Sequence, residues 1–289
     1  MRRAMGIGGA ALAVLAGACG GAAGGAGAAE APRREPVTLA VSLEPGAEYE
    51  GSLVMTQELP TRQQVRTRIQ VRTRVLDATD GMFTVEDQYG DLRVSVDGQP
   101  VESEGEMQDV DEVRIRYDLD PRGRTAGEPQ ASGVTDANRE FAQELLDSVG
   151  EEAVPFPEGP VAPGDTWEGE RAIAMPTEVG ELKGRVREVH RLERVESVEG
   201  RAWAVIDIGG DVTLEPLEGG GLFMRGAGRV AGKRRVLLGD GFTSDSDTEV
   251  TLTLHVKAGS GAGETDITQR TGTELRIRRV DGEARGGVR

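Results

Sequence analysis

The side chains able to do chemistry in this sequence are few and widely spaced. Only two histidines occur, His190 and His255, 65 residues apart, and there is one cysteine, Cys19. A zinc site needs four N or S ligands converging on one point, and a Ser-His-Asp relay needs a base within hydrogen-bond reach of its nucleophile. Nothing in this spacing assembles either, so we expect no catalytic set, no metal and no cofactor. Asp245, Asp247 and Glu249 share one side of any extended segment. Calcium takes six to eight oxygens, however, and the glycine and distant bidentate Glu of an EF-hand loop are missing; a solvated turn is expected. Gly226-Ala-Gly-Arg-Val-Ala-Gly-Lys-Arg234 has the wrong spacing for a phosphate loop and places Arg234 where Ser or Thr is needed. It reads as a glycine-rich strand or bulge. The best candidate for a partner surface is the stripe Arg66, Arg68, Arg72, Arg74, with a shorter version at Lys183, Arg185 and Arg187. Such a stripe either pairs with acids on neighbouring strands or meets an anionic partner such as an envelope polymer or lipid headgroup.

The elements that must carry these residues are mostly strands. Period-two alternation of apolar and polar residues recurs along the chain. Val37, Leu39, Val41 and Leu43 alternate with Thr38, Ala40 and Ser42. Val65, Thr67, Ile69, Val71, Thr73 and Val75 lie opposite the arginine stripe. Val113 to Leu119 and Val250 to Val256 repeat the habit. One face in a core and one in water is typical of antiparallel sheets. Asp80-Gly81, Asp97-Gly98, Arg122-Gly123, Glu199-Gly200 and Asp240-Gly241 mark turns. One segment has helical spacing: Phe141, Leu145 and Val149, with Ala142 and Leu146 beside them, start-capped by Thr135 or Asp136 and closed by Gly150. The helix predicted over 134–149 falls between two similar stretches. Pro45-Gly-Ala-Glu-Tyr-Glu-Gly51 matches Pro163-Gly-Asp-Thr-Trp-Glu-Gly169, Phe83 matches Trp203, and Asp87 matches Asp207. We therefore expect a mainly β fold of two tandem pseudo-repeats of antiparallel meander. The repeats either pack face to face like a sandwich or join edge to edge into a curved half-barrel. The divisions are 1–18 signal, 19–36 flexible tether, 37–130 first repeat, 131–154 linking helix and loop, 155–280 second repeat, and 281–289 tail.

The formal charge of −16 argues against nucleic acid, which is held through Lys and Arg on phosphates. It equally argues against electrostatic docking on anionic lipid. Arg2 and Arg3 precede an apolar run from Ala4 to Ala18 that closes on Cys19. The run is too short and too rich in glycine to span a bilayer, and reads as the core of a cleaved signal. It resembles the lipoprotein signals of bacteria, whose terminal Cys receives a diacylglycerol and becomes the first residue of the mature chain. Ala16 stands where that box more often has Leu, and Ala16-Gly17-Ala18 also fits ordinary signal cleavage, which would leave a secreted protein. The resemblance implies lipid on Cys19, a membrane anchor and, from Gly20 rather than Asp after it, an outer-membrane address in a Gram-negative host. Two acyl chains give a stable anchor where one gives marginal binding. Lipidation would occupy the only thiol, so the fold must hold without disulfides.

Pro155-Phe-Pro-Glu-Gly-Pro-Val-Ala-Pro-Gly-Asp-Thr-Trp167, taken with the signal and the paired halves, resembles a family of uncharacterised bacterial lipoproteins and secreted β-rich proteins. That family carries no assigned reaction. The phrase has a structural account: proline fixes the approach, Gly164 and Asp165 turn it, and Trp167 plugs the core. These readings together predict a non-enzymatic envelope lipoprotein that binds an apolar ligand in a sheet's hollow or an envelope protein. The alternatives are a structural or assembly role, or an exported hydrolase working through paired carboxylates.

Overall fold

The structure, a computed structural model, describes residues 35–101, 110–150, 154–177, 180–258 and 264–280. Segment 1–18, Cys19, most of the tether and the tail 281–289 lie outside the described residues. The chain is mainly β. Its elements are β1 (Glu48–Glu58), β2 (Gln64–Thr79), β3 (Met82–Val96), β4 (Gln99–Pro100), a 3-10 turn (Val110–Glu112), β5 (Arg114–Leu119), β6 (Thr125–Ser132) and α1 (Arg139–Gly150). After the helix come β7 (Thr166–Thr177), β8 (Gly180–Val198), β9 (Arg201–Gly219), β10 (Leu222–Leu237), β11 (Thr243–Ala258) and β12 (Glu264–Arg279). The helix begins three residues after Asp136, with Asn138 rather than Thr135 or Asp136 immediately before it. The Asn138 side chain accepts from Thr135 N–H (2.7 Å) and donates to Gly133 O (3.1 Å).

All twelve strands belong to one open antiparallel sheet, in the order β6-β5-β3-β2-β1-β12-β11-β10-β9-β8-β7, with β4 paired to β3 off this path. Of the two arrangements the sequence allows, the halves therefore join edge to edge. Their seam is the β1–β12 ladder, from Tyr49↔Arg279 to Glu58↔Arg270. At Gly51 the strands approach so closely that an added Cβ would collide with the Ile277 side chain and the Arg276 carbonyl. Without β4, eleven strands lie on the path. Each runs opposite to its neighbour, so the edge strands β6 and β7 run in the same direction and cannot close the sheet by antiparallel pairing. The chain returns from one edge to the other through α1, whose Ala142 and Leu145 are buried in the core and whose Val149 carbonyl accepts from Thr125 Oγ1 on β6 (3.0 Å).

The sheet's apolar side closes on itself at one end. A single core cluster combines Tyr49, Ile69 and Val85 of the first half with Leu192, Ile206 and Val236 of the second, so the halves share one core. Residues 37–43 are not the ladder strand that their alternation suggests. Only Val37 makes a β-bridge, to Val161. The rest is an extended strap whose Leu39, Val41 and Leu43 are buried in that shared core. Val41 N–H donates to Pro121 O in the β5–β6 turn, and Ser42 N–H to Asp240 O in the β10–β11 turn (2.8 Å each). The strap thus stitches the two halves together, and Gly241, with φ of +67° and Ala40 packed against it, is where it crosses. Alternating apolar residues need one covered face; they do not require a paired neighbour on either side.

Matched positions of the two halves diverge along the sheet. Tyr49 and Trp167 both face the core near the starts of β1 and β7. Asp87, however, is buried on the inner face, while Asp207 is on the outer face, paired with Arg191 (2.6 Å) and Lys233 (3.2 Å). The irregularities fall at different places, Arg68/Gln70 and Val75/Asp77 in the β2–β3 ladder and Leu192/Arg194 in β8–β9. A one-residue slip turns every following side chain to the other face.

Candidate binding site

The inner face of the second half is laid down in rows, because register fixes which inward side chains stand side by side. The row nearest the strap is mainly core: Leu192, Ile206, Arg234, Ser246 and Leu275. The next runs Trp167, His190, Ile208, Gly232, Thr248, Thr273. The third runs Gly169, Glu188, Gly210, Val230, Val250, Thr271. Beyond these the face turns apolar. Leu182, Val186, Val212, Leu214, Val230 and Leu252 form a second buried cluster, flanked by partly buried Ile173, Met175, Leu217 and Leu254. Every member comes from β7–β11. The long strands of this half, 19 residues in β8 and β9 against 11 in β1 and 6 in β5, carry the wall past the core that the two halves share.

Core and wall are separated by a polar belt. Its centre is Glu188, which accepts from His190 Nε2 (2.9 Å) and lies 3.4 Å from Arg171 Nε. His190 is 1% exposed and stacks at a tilt on Trp167, ring centroids 5.5 Å apart. Burial alone would raise the Glu188 carboxyl. The hydrogen bond from His190 and the positive charges of Arg171 and Arg234 overcome it and hold the carboxyl at about 2. Burial pulls the His190 imidazole below its ordinary value and Arg234 adds to the effect, so the ring is neutral at pH 7 and donates from Nε2. Two buried polar atoms of the Trp167 row make no hydrogen bond, the Trp167 indole N–H and Thr273 Oγ1. Thr273 is 4% exposed.

In the first half the inner face holds a second buried acid. Asp87 accepts from Thr73 Oγ1 (2.5 Å) and Tyr117 Oη (2.9 Å), with Tyr89 Oη at 3.5 Å. Burial pushes its carboxyl up to about 6 although all three hydroxyls act against the rise. Tyr89 meets Phe141 of α1 edge-on, centroids 6.3 Å apart, so this group sits beneath the helix.

The arginine stripe divides into two parts. Arg72 pairs with Glu50 (2.6 Å) and Arg74 with Glu48 (2.9 Å), across the β1–β2 ladder. Arg66 and Arg68 make no ion pair among the described residues, and Arg68 stands opposite Arg93 in the β2–β3 register. Lys183, Arg185 and Arg187 pair with Glu181, Glu170 and Glu168. Asp245 reaches Arg235 (3.0 Å) and Arg276, and Glu249 reaches Arg270. Gly226–Arg234 is regular β10, its inward glycines leaving space that Leu254, Leu214 and Leu252 fill. His255 faces outward on Asp266 (2.6 Å). No group of three or more metal-binding side chains occurs among the described residues. A separate recess of about 830 Å³ opens at the strap end, lined by Glu44, Arg201, Asp240 and Arg279 among others; Arg279 pairs with Glu44 and Asp240 across it.

The belt is absent from the sequence reading. Its one visible signal is the run from Leu182 to Leu192, where Glu188 and His190 take the positions that alternation reserves for apolar residues. The residues that complete it, Arg171 and Arg234, arrive from other strands and are joined to it only by register.

No family model matches the chain, and no curated protein matches it. Among solved structures, an outer membrane channel from Pseudomonas putida F1 overlaps 82% of this chain and 97% of its own, at 9% identity and a TM-score of 0.21. An overlap this loose leaves function to be argued from the residues themselves.

Proposed function

We propose that this protein is a non-enzymatic lipoprotein of the bacterial envelope, tethered by lipid on Cys19, that binds an apolar ligand on the inner face of its second half. The observation that carries this reading is the second apolar cluster. A sheet's apolar face has to be covered. At the strap end the two halves cover each other, whereas the wall from Leu182 to Leu252 is covered only by its own strands, packed to between 1% and 8% exposure, and a ligand would enter by parting that cluster. The outer face supports a lipid tether over strands that themselves cross the bilayer. It is laced with charged pairs, Arg187–Glu168, Arg72–Glu50 and Lys233–Asp207 among them, and a membrane-spanning barrel needs an apolar outer band there. No helix among the described residues is long and apolar enough to cross a membrane. In a Gram-negative host the address is the outer membrane.

Two measurements test this. Cys19→Ser is expected to abolish incorporation of labelled fatty acid and to move the protein from the membrane to the soluble fraction; unchanged labelling and fractionation would remove the tether. Native mass spectrometry of that soluble chain, purified without detergent, is expected to show the polypeptide with an apolar adduct. The bare polypeptide mass alone would remove the carrier role.

A further inference from the structure

We propose that the outer face of the first half docks a linear polyanion laid along β2, held by Arg66 and Arg68 at one end and by Arg114, Arg116 and Arg278 around the other. This surface is separate from the apolar wall and independent of the carrier reading. Only the polymer's source, an acidic chain of the cell envelope, rests on the exported address.

The two halves present arginine stripes to solvent, and the surroundings of the stripes differ. In the second half Lys183, Arg185 and Arg187 each close an ion pair, with Glu181, Glu170 and Glu168. The row through Arg187 runs Glu170, Arg187, Asp211, Arg229, Thr251, Arg270, Glu58, and so neutralises itself. Four rows across the first half do not. They run Arg278, Glu50, Arg72, Gln88, Arg114; then Glu48, Arg74, Glu86, Arg116; then Glu274, Val54, Arg68, Arg93; then Gly272, Thr56, Arg66, Ser95. Eight arginines share these rows with four acids. Glu50 and Glu48 are taken by Arg72 and Arg74, and Arg93 is held by Asp91 (2.8 Å). Asp111, a further acid beside β3, accepts from the Asp91 N–H (3.1 Å). Arg66, Arg68, Arg114, Arg116 and Arg278 are exposed and make no ion pair among the described residues. Arg68 and Arg93 stand directly opposite each other, and like charges so placed are destabilising. An anion between them would offset that cost. On a chain of formal charge −16 this is a local reversal of sign.

The shape of the field selects the partner. Successive outward residues of a strand lie about 7 Å apart, so Arg66 to Arg74 spans about 27 Å, with β12 and β5 each about 10 Å to one side. A narrow chain of anionic groups can follow such a stripe. A flat anionic bilayer would also press on Glu48, Glu50 and Glu86, and the acidic remainder of the molecule would oppose it. Charges more than about 8 to 10 Å away are largely screened at physiological ionic strength. A thin polymer therefore meets the arginines without meeting the whole molecule.

The test is titration of fluorescein-labelled heparin with the Cys19→Ser chain, which has no acyl group to enter a membrane, at about 50 and about 150 mM sodium chloride. Saturable binding that weakens with salt is expected. Replacing Arg66 and Arg68 together by alanine should weaken it at least about fivefold and lower the slope of log K against log salt by about 2. Replacing Arg114 and Arg116 together should weaken it by a similar factor. The control is the joint replacement of Arg185 and Arg187, which removes the same charge from arginines that already have acids; it should change binding by less than about twofold. Absence of heparin binding, or equal weakening by the control pair, would overturn the polyanion surface. Phosphatidylglycerol vesicles that bind the chain and displace heparin would overturn the polymer in favour of a membrane surface. None of these readouts involves the apolar adduct, so failure here leaves the carrier reading standing.

Discussion

Glu188 and His190 stand two residues apart on β8, face the same interior, and are joined by a 2.9 Å hydrogen bond in which a neutral imidazole donates to an ionised carboxylate. The side chain of His190 is 2% exposed and that of Glu188 11%. The pair is therefore shielded from water, and its protonation is coupled to the fold.

Both groups make the protein sensitive to acid. The Glu188 pKa falls from 4.5 unfolded to about 2 folded, so its contribution is complete above about 4.5 and is lost as pH falls towards 2. The His190 pKa is also lowered, so the unfolded chain takes up its proton first and stability declines as pH drops below 6.5. Glu188→Gln should flatten the limb below pH 4.5 and lower stability at pH 7 by about 3 kcal/mol, since it removes the carboxylate from a buried ion pair with Arg171. Urea titrations of both proteins from pH 3 to 8 measure this.

Asp87 acts with the opposite sign. Its carboxyl rises from 3.8 to about 6, so the folded chain holds the proton more tightly, and stability falls as pH rises from about 4 to 6. Asp87→Asn keeps an acceptor for Thr73 and Tyr117 and removes the buried charge. It should erase that slope and leave the variant more stable than the parent above pH 7 by roughly 2 kcal/mol. Thermal melts at pH 4 and pH 8 would show the crossover; parallel curves would rule out a raised carboxyl.

How far these features can be read from sequence depends on whether they are local. The face of β2 is legible because Val65 to Val75 and Arg66 to Arg74 alternate without interruption. The turns at Asp80-Gly81 and Glu199-Gly200 are legible because both residues of each adopt positive φ. The strap misleads because burial of Leu39, Val41 and Leu43 produces the same alternation as a strand. The belt escapes because Arg171 and Arg234 meet Glu188 only through ladder register, and the slip between Asp87 and Asp207 comes from irregularities that no single residue marks.

The strap is expected to behave as part of both halves. Leu39 is 2% exposed within the shared core. Leu39→Ala should cost about 2 to 4 kcal/mol and lower a single cooperative transition without splitting it. Two separate transitions in calorimetry would show that the halves fold independently.

The divided stripe separates stability from binding. Arg72 and Arg74 are exposed and paired, and alanine at either should change stability by less than about 1 kcal/mol. Arg66 and Arg68 pair with no acid among the described residues, so their joint replacement by alanine should leave the melting temperature unchanged. If this surface meets an anionic envelope polymer, the double variant should elute earlier from an immobilised polyanion at low salt while Arg72→Ala does not.

Because β1 lies against β12, the first strand of the sheet has to wait for the last. A chain still being made carries an unzipped edge on β1 until β12 arrives. Long-range pairing of this kind is slow, and any version shortened at the carboxyl end would keep that edge bare and sticky.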